Sequence, residues 1–238
     1  MKATRFIAIV TWLLCLHGAL PAQERRVETT LEADIVSRYI WRGCDLGGGA
    51  VQPTLGVSWR GLSLEAWGST PIVNSSDTSE MDLTLGYSLG GLALSITDYW
   101  FNEGPEPRNR YFRYSSNSTN HVFEATIGYD WGSLCISWST NFAGNDGRTS
   151  SGKRAYSSYF ELGVPFKVAG VEWSAALGIV PYETDLYGVD GFALTNLSLT
   201  ATKAIRVTQG FEIPLFACIA ANPDSSRAYL VFGLKLHP

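Results

Sequence analysis

Alternation with a period of two, sustained over segments of about ten residues, most constrains what this chain can fold into. In Leu31 to Gly43 (LEADIVSRYIWRG), Leu31, Ala33, Ile35, Tyr39 and Trp41 share one parity, and Glu32, Asp34, Val36, Arg38, Ile40 and Arg42 share the other. Successive side chains of a strand point to opposite faces, so the segment predicts a strand with one apolar and one charged face. Four charges on one face are costly in a dry core but natural against water. The period recurs over Thr54 to Arg60, Leu62 to Thr70, Glu80 to Ser88, Leu92 to Phe101, Val122 to Trp131 and Leu134 to Phe142. It continues over Ala155 to Phe166, Val171 to Val180, Leu194 to Ile205, Phe211 to Ala220 and Ala228 to Leu236, predicting twelve strands in all. Most approach the roughly 9–11 residues that a tilted strand needs to cross a bilayer.

The connections fall into two classes that alternate. Short turns are predicted at Arg60-Gly61, Gly90-Gly91, Gly132-Ser133, Val168 to Gly170 and Arg206 to Gly210. Longer polar loops are predicted at Cys44 to Val51, Ile72 to Ser79, Asn102 to His121, Ala143 to Arg154, Pro181 to Phe192 and Ala221 to Arg227. A soluble sandwich has no reason to alternate in this way, whereas outer-membrane barrels pair short periplasmic turns with longer outside loops. The expected fold is therefore all-β, a transmembrane antiparallel up-and-down barrel of about twelve strands with both termini in the periplasm.

The faces point the same way. One parity is apolar, as in Met81, Leu83, Leu85 and Tyr87, while the other is polar, as in Asn196, Ser198, Thr200 and Thr202. Aromatics of the apolar parity gather near strand ends: Trp59, Tyr87, Tyr129, Trp131 and Trp173 at the short turns, and Tyr39, Trp41 and Trp100 at the long loops. These eight are the expected interfacial girdle, since amphipathic rings favour the headgroup level. A lipocalin-like soluble barrel, the main rival, would point its apolar set inward and would not place rings at strand ends.

Met1 to Ala22 reads as a secretory signal, with Lys2 and Arg5 ahead of an apolar run from Phe6 to Leu16, leaving residues 23–238 as the barrel. The apolar run is too short for a membrane-spanning helix. Losing Lys2 and Arg5 takes the formal charge from −4 to −6, which argues against a nucleic-acid partner. Cys44, Cys135 and Cys218 are an odd, scattered set that implies no disulfide framework, and His121 and His237 are too few and too distant for a histidine metal centre. No metal or cofactor is expected.

The segment Ser37-Arg38-Tyr39-Ile40-Trp41-Arg42-Gly43 resembles the opening motif of the TorF-like outer-membrane porins, signal-bearing barrels of Gram-negative bacteria. The resemblance extends through Glu80-Met81-Asp82-Leu83, Asp98-Tyr99-Trp100-Phe101, Tyr111-Phe112-Arg113-Tyr114, Thr119 to Glu124 and the C-terminal run Ala228 to Leu234. It implies a barrel and a pore in the outer membrane, with the lipid bilayer, the barrel-assembly machinery and small solutes as partners. One departure is the ending Leu236-His237-Pro238, where such barrels commonly carry a terminal aromatic.

Strand parity puts nine carboxylates in the lumen: Glu32, Asp34, Glu65, Asp82, Glu124, Asp130, Glu161, Glu172 and Glu212. Against them stand Arg38, Arg42 and Lys235, with Asp82 and Glu124 as expected partners of the two arginines. This surplus predicts a narrow pore that prefers cations. The alternatives are a non-conducting structural, adhesin or receptor barrel and, less favoured, a lipid hydrolase using His121. Two residues on from His121 into the strand stands Phe123, not a hydroxyl, so no catalytic residue is assigned. The loop Asn102 to His121, with Tyr111, Phe112 and Tyr114, is expected to pack against the barrel mouth.

Overall fold

The computed structural model describes residues 27–102, 107–115 and 118–237; the expected signal segment lies outside them. Among the described residues fourteen strands follow one another in sequence. They are β1 Glu28–Val36, β2 Tyr39–Trp41, β3 Cys44–Gly47, β4 Ala50–Trp59, β5 Leu62–Pro71, β6 Glu80–Leu89 and β7 Leu92–Phe101, then β8 His121–Asp130, β9 Cys135–Gly144, β10 Ser158–Val168, β11 Val171–Val180, β12 Ala193–Thr208, β13 Phe211–Asn222 and β14 Arg227–Leu236. Twelve of them close into one antiparallel barrel in sequence order, with β1 sealing against both β4 and β14. Closure leaves the wall no free edge strand, which is what a strand-built span of a bilayer requires. The seam is uneven. β1 pairs with β4 from Glu28↔Ser58 to Val36↔Ala50, but with β14 only from Ala33↔Leu236 to Val36↔Gly233.

The barrel is apolar outside and polar inside. Leu31, Leu55, Leu85, Ile96, Ile127, Leu215 and Leu230 are all exposed, while Asp34, Gln52, Thr54, Asp82, Glu124, Ser139, Glu161 and Thr202 are buried. A water-soluble barrel would suffer from so continuous an apolar exterior. The period of two generates this division directly, because each step along a strand exchanges lipid face for lumen face.

One expected strand is corrected. The first wall strand does not run to Gly43; it ends at Val36, and the chain leaves the wall to form the separate β2–β3 hairpin. Glu28–Val36 is already nine residues long, enough to cross, so the residues beyond it are surplus to the wall. Trp41 pairs with Cys44 across a two-residue turn in which both Arg42 (φ 51°) and Gly43 (φ 81°) have positive φ. That is the type I′ geometry whose twist suits a tight hairpin, and Gly at the second position adopts it without a Cβ penalty.

The hairpin lies inside the barrel. Ile40 packs with Val36, Ala50, Phe216, Ala220 and Val231 on one side. Trp41 and Cys44 pack on the other side against Tyr159, Val180, Tyr187, Val189 and Ala193. Burial of Tyr39 and Ile40, 5% and 7% exposed, favours docking by about 1.5–3 kcal/mol for the aliphatic chain and a similar amount for the ring.

Candidate functional site

The type I′ turn aims Arg42 across the lumen into the opposite wall. Its Nη1 donates to Glu124 Oε2 at 2.6 Å and its Nη2 to Glu124 Oε1 at 2.9 Å, a forked pair. Nη1 also donates to Tyr187 Oη at 2.6 Å, and Nη2 to Ser139 Oγ at 3.1 Å. The guanidinium lies 4.5 Å from the Trp41 ring centroid and 4.6 Å from that of Tyr159. Glu124 is held in turn by Tyr99 Oη at 3.0 Å and Thr126 Oγ1 at 3.3 Å. With side chains only 4% and 3% exposed, Arg42 and Glu124 form a buried ion pair that is tolerable because the guanidinium fork and the carboxylate are both extensively hydrogen-bonded. Burial acts to lower the Arg42 pKa, but Glu124 together with Tyr187 and Tyr99 outweighs it and keeps the guanidinium charged. Burial pushes the Tyr187 phenol up, so it stays protonated.

The rest of the hairpin is pinned as firmly. Tyr39 Oη donates to Glu80 Oε2 at 2.7 Å, and its ring lies 5.7 Å from that of Trp67. Burial, reinforced by Glu80, raises the Tyr39 phenol and keeps it a donor. Trp41 stacks on Tyr187 at 5.7 Å and meets Tyr99 edge-on at 5.9 Å. At the tip, Asn222 Nδ2 donates to the Gly43 carbonyl at 3.2 Å. The hairpin thus touches walls from β5 round to β13 and crosses the lumen as a bar.

A sequence profile described as "Bacterial protein of unknown function (Gcw_chp)" matches residues 22–226. The chain belongs to this family. A search among curated proteins returns no match. Among solved structures the Gcw_chp barrel is similar to the NanC porin, at 10% identity over 86% of this chain and 97% of that one, with a TM-score of 0.44. It is also similar to an outer membrane channel from Pseudomonas putida F1, at 12% identity over 92% and 98% of the two chains, with a TM-score of 0.43. A third similarity is to OmpF of Salmonella typhi in complex with daunomycin, at 12% identity over 81% and 62%, with a TM-score of 0.35.

The predicted lumen charges of this Gcw_chp barrel occupy three kinds of place. Asp34, Asp82, Glu124 and Glu161 are buried within the barrel, and Glu32 and Glu65 are partly buried on the same inward parity. Lys235 lies 3.3 Å from Asp34. Glu161 accepts from Tyr159 Oη at 2.9 Å. Asp130, Glu172 and Glu212 instead sit at the short-turn rim: Asp130 accepts from Gly132 N at 2.5 Å, Glu172 pairs with Lys167 at 3.4 Å and Glu212 with Arg206 at 3.1 Å. Arg38 pairs with Asp45 of the hairpin and is 44% exposed in its side chain, rather than meeting Asp82 or Glu124. Glu80, which shares the parity of Asp82, was not among the predicted lumen acids although strand parity alone reaches it.

The girdle divides as well. Trp59, Tyr87, Tyr129 and Trp131 are exposed at the short-turn rim, with Tyr129 and Trp131 4.6 Å apart, and Trp173 stacks on Phe166. Trp100 is half-buried under Tyr111 at 5.4 Å. Tyr39 and Trp41 are corrected: both lie in the lumen, because the hairpin has turned away from the wall before reaching them.

Asp98 and His121 share the lipid-facing parity at the loop end of the barrel, and the described loop residues Tyr111 and Tyr114 pack over them. His121 Nδ1 meets Asp98 Oδ1 at 2.7 Å, Nε2 meets the Tyr111 carbonyl at 2.5 Å, and the Tyr114 ring stacks on the imidazole at 4.1 Å. Nε2 thus faces a carbonyl and not a hydroxyl. Among the described residues no three of His, Cys, Asp and Glu are gathered as metal ligands.

Proposed function

We propose that this Gcw_chp barrel is an outer-membrane channel of narrow bore for small cationic solutes, with the β2–β3 hairpin as its constriction. The observation that carries the reading is a closed wall that is apolar outward and acidic inward. Seven wall acids, Glu32, Asp34, Glu65, Glu80, Asp82, Glu124 and Glu161, face an interior whose basic side chains include Arg42 and Lys235. Rings of carboxylates favour cations in channels. A bacterial barrel of this kind belongs in the outer membrane, with short turns in the periplasm and long loops outside. The TorF-like resemblance of Ser37 to Gly43 agrees with this placement. So does a secretory signal over residues 1–22, with delivery by the barrel-assembly machinery. An acidic chain offers nothing to nucleic acid, and His121 with its carbonyl partner favours no hydrolase.

One observation favours a second reading. The hairpin is bonded to walls on several sides, as a structural strut or receptor barrel would need. A reversal potential measured in a planar bilayer across a KCl gradient separates the two. Cation preference that weakens with added salt is expected for the channel; anion preference refutes the acidic lumen as its filter, and no conductance with the hairpin either docked or released favours the strut.

A further inference from the structure

The wall around Arg42 is built as a receptor for its terminal group. Four of the guanidinium's five N–H donors meet acceptors: two reach Glu124, one Tyr187 and one Ser139. The fifth, on Nε at the stem, is buried without a hydrogen-bond partner. Recognition is therefore of the forked end, not of the stem that tethers it. All three acceptors lie outside the hairpin, and so does the Tyr159 face beneath the guanidinium plane. Glu124, Ser139 and Tyr159 sit on barrel strands, and Glu124 is held by Tyr99 and Thr126. Thr126 Oγ1 in turn lies 2.8 Å from Ser139 Oγ. The site consequently keeps most of its shape without the hairpin.

We infer that this wall site is a solute-recognition site for guanidinium cations, and that Arg42 is a tethered occupant which a guanidinium-bearing solute displaces to release the hairpin. The inference rests on the channel reading. A planar cation with paired N–H donors fits a bidentate carboxylate and an aromatic face; a compact ammonium satisfies the charge but not the fork. Tethering gives Arg42 an effective concentration in the millimolar range, so a free guanidinium competes weakly in the wild type and binds readily once Arg42 is gone.

The test uses methylguanidinium chloride as probe, with methylammonium chloride at equal ionic strength as control, on the full refolded barrel. In Arg42→Ala, methylguanidinium is expected to raise the melting temperature and reduce the single-channel current at concentrations about tenfold below those needed to affect the wild type. Methylammonium should do neither. Adding Glu124→Gln should abolish the response. If Arg42→Ala does not fold, Arg42→Lys keeps the charge without the fork and should show the same selectivity for methylguanidinium. Equal responses to the two cations in the folded variant overturn the site. Selective stabilisation without conductance in any variant supports the site and overturns the channel on which its gating role rests.

Discussion

Replacing Gly43 by alanine tests whether the hairpin is held across the lumen by its tip. An added Cβ would stand 1.8 Å from the Thr195 carbonyl oxygen and 2.8 Å from its carbon, both backbone atoms of the wall. The φ of 81° adds the left-handed penalty of about 1–2 kcal/mol for an L side chain. Retreat of the tip also loses the Asn222 hydrogen bond, worth about 1 kcal/mol, and misaligns the Arg42 fork. The sum, about 2–3 kcal/mol before the ion pair is counted, falls on docking and not on the wall, whose ladders do not include the hairpin. Cys44 reports the release. Burial pushes its thiol up to about 11, with Arg42 opposing, so little thiolate exists near pH 8 in the docked state. Release towards an ordinary thiol near 8.5 raises the thiolate fraction about a hundredfold. In a Cys135→Ser/Cys218→Ser background, maleimide labelling of Gly43→Ala should accelerate by that order, with higher conductance and a nearly unchanged barrel melting temperature. Unchanged labelling and current would refute the docking argument; loss of the whole barrel would show that the hairpin is part of the wall's stability.

Leu85, exposed on the outer face and paired with Leu64 and Ile96, should lose about 2–4 kcal/mol on change to arginine if it meets lipid near the bilayer midplane; urea-driven unfolding from vesicles measures it, and no loss places this face elsewhere. His121→Ala removes the bonds to Asp98 and the Tyr111 carbonyl, so tryptic cleavage at Arg110 or Arg113 should accelerate about tenfold or more. An unaltered rate would mean the loop is held by other contacts. Epitope tags within Ala143 to Arg154 should be reachable on intact cells and tags at Gly132-Ser133 should not; the reverse outcome inverts the orientation.

The wall was legible because a period of two records which face meets lipid, and the connection lengths record which end is which. The hairpin was not, since Ser37 is the one polar residue on the apolar parity between Leu31 and Trp41, too slight a break to mark an exit from the wall, and the alternation resumes beyond it to carry Tyr39 and Trp41 onto that parity. Length held the missing signal. Counted from Glu28, the alternation reaches Arg42 in fifteen residues, longer than a crossing needs, and Arg42-Gly43 supplies a two-residue turn. Tyr187 carried no signal, because it comes from a loop without period. Asp98 and His121 did carry one: an acid and a histidine on the lipid-facing parity must be paired and covered, which is what Tyr111 and Tyr114 do.

The crossing hairpin also works as a gauge of circumference. It leaves β1, the first strand made, yet its tip fits only where Thr195 and Asn222 stand, on strands made near the end. Its side chains reach Glu80, Glu124, Ser139 and Tyr159 at the same time, and that set of distances exists for one strand number. A ring two strands larger or smaller would move these partners apart, so that Arg42 could not meet Glu124 while Gly43 meets Thr195 and Asn222. The full set of docking contacts therefore requires a ring closed at twelve.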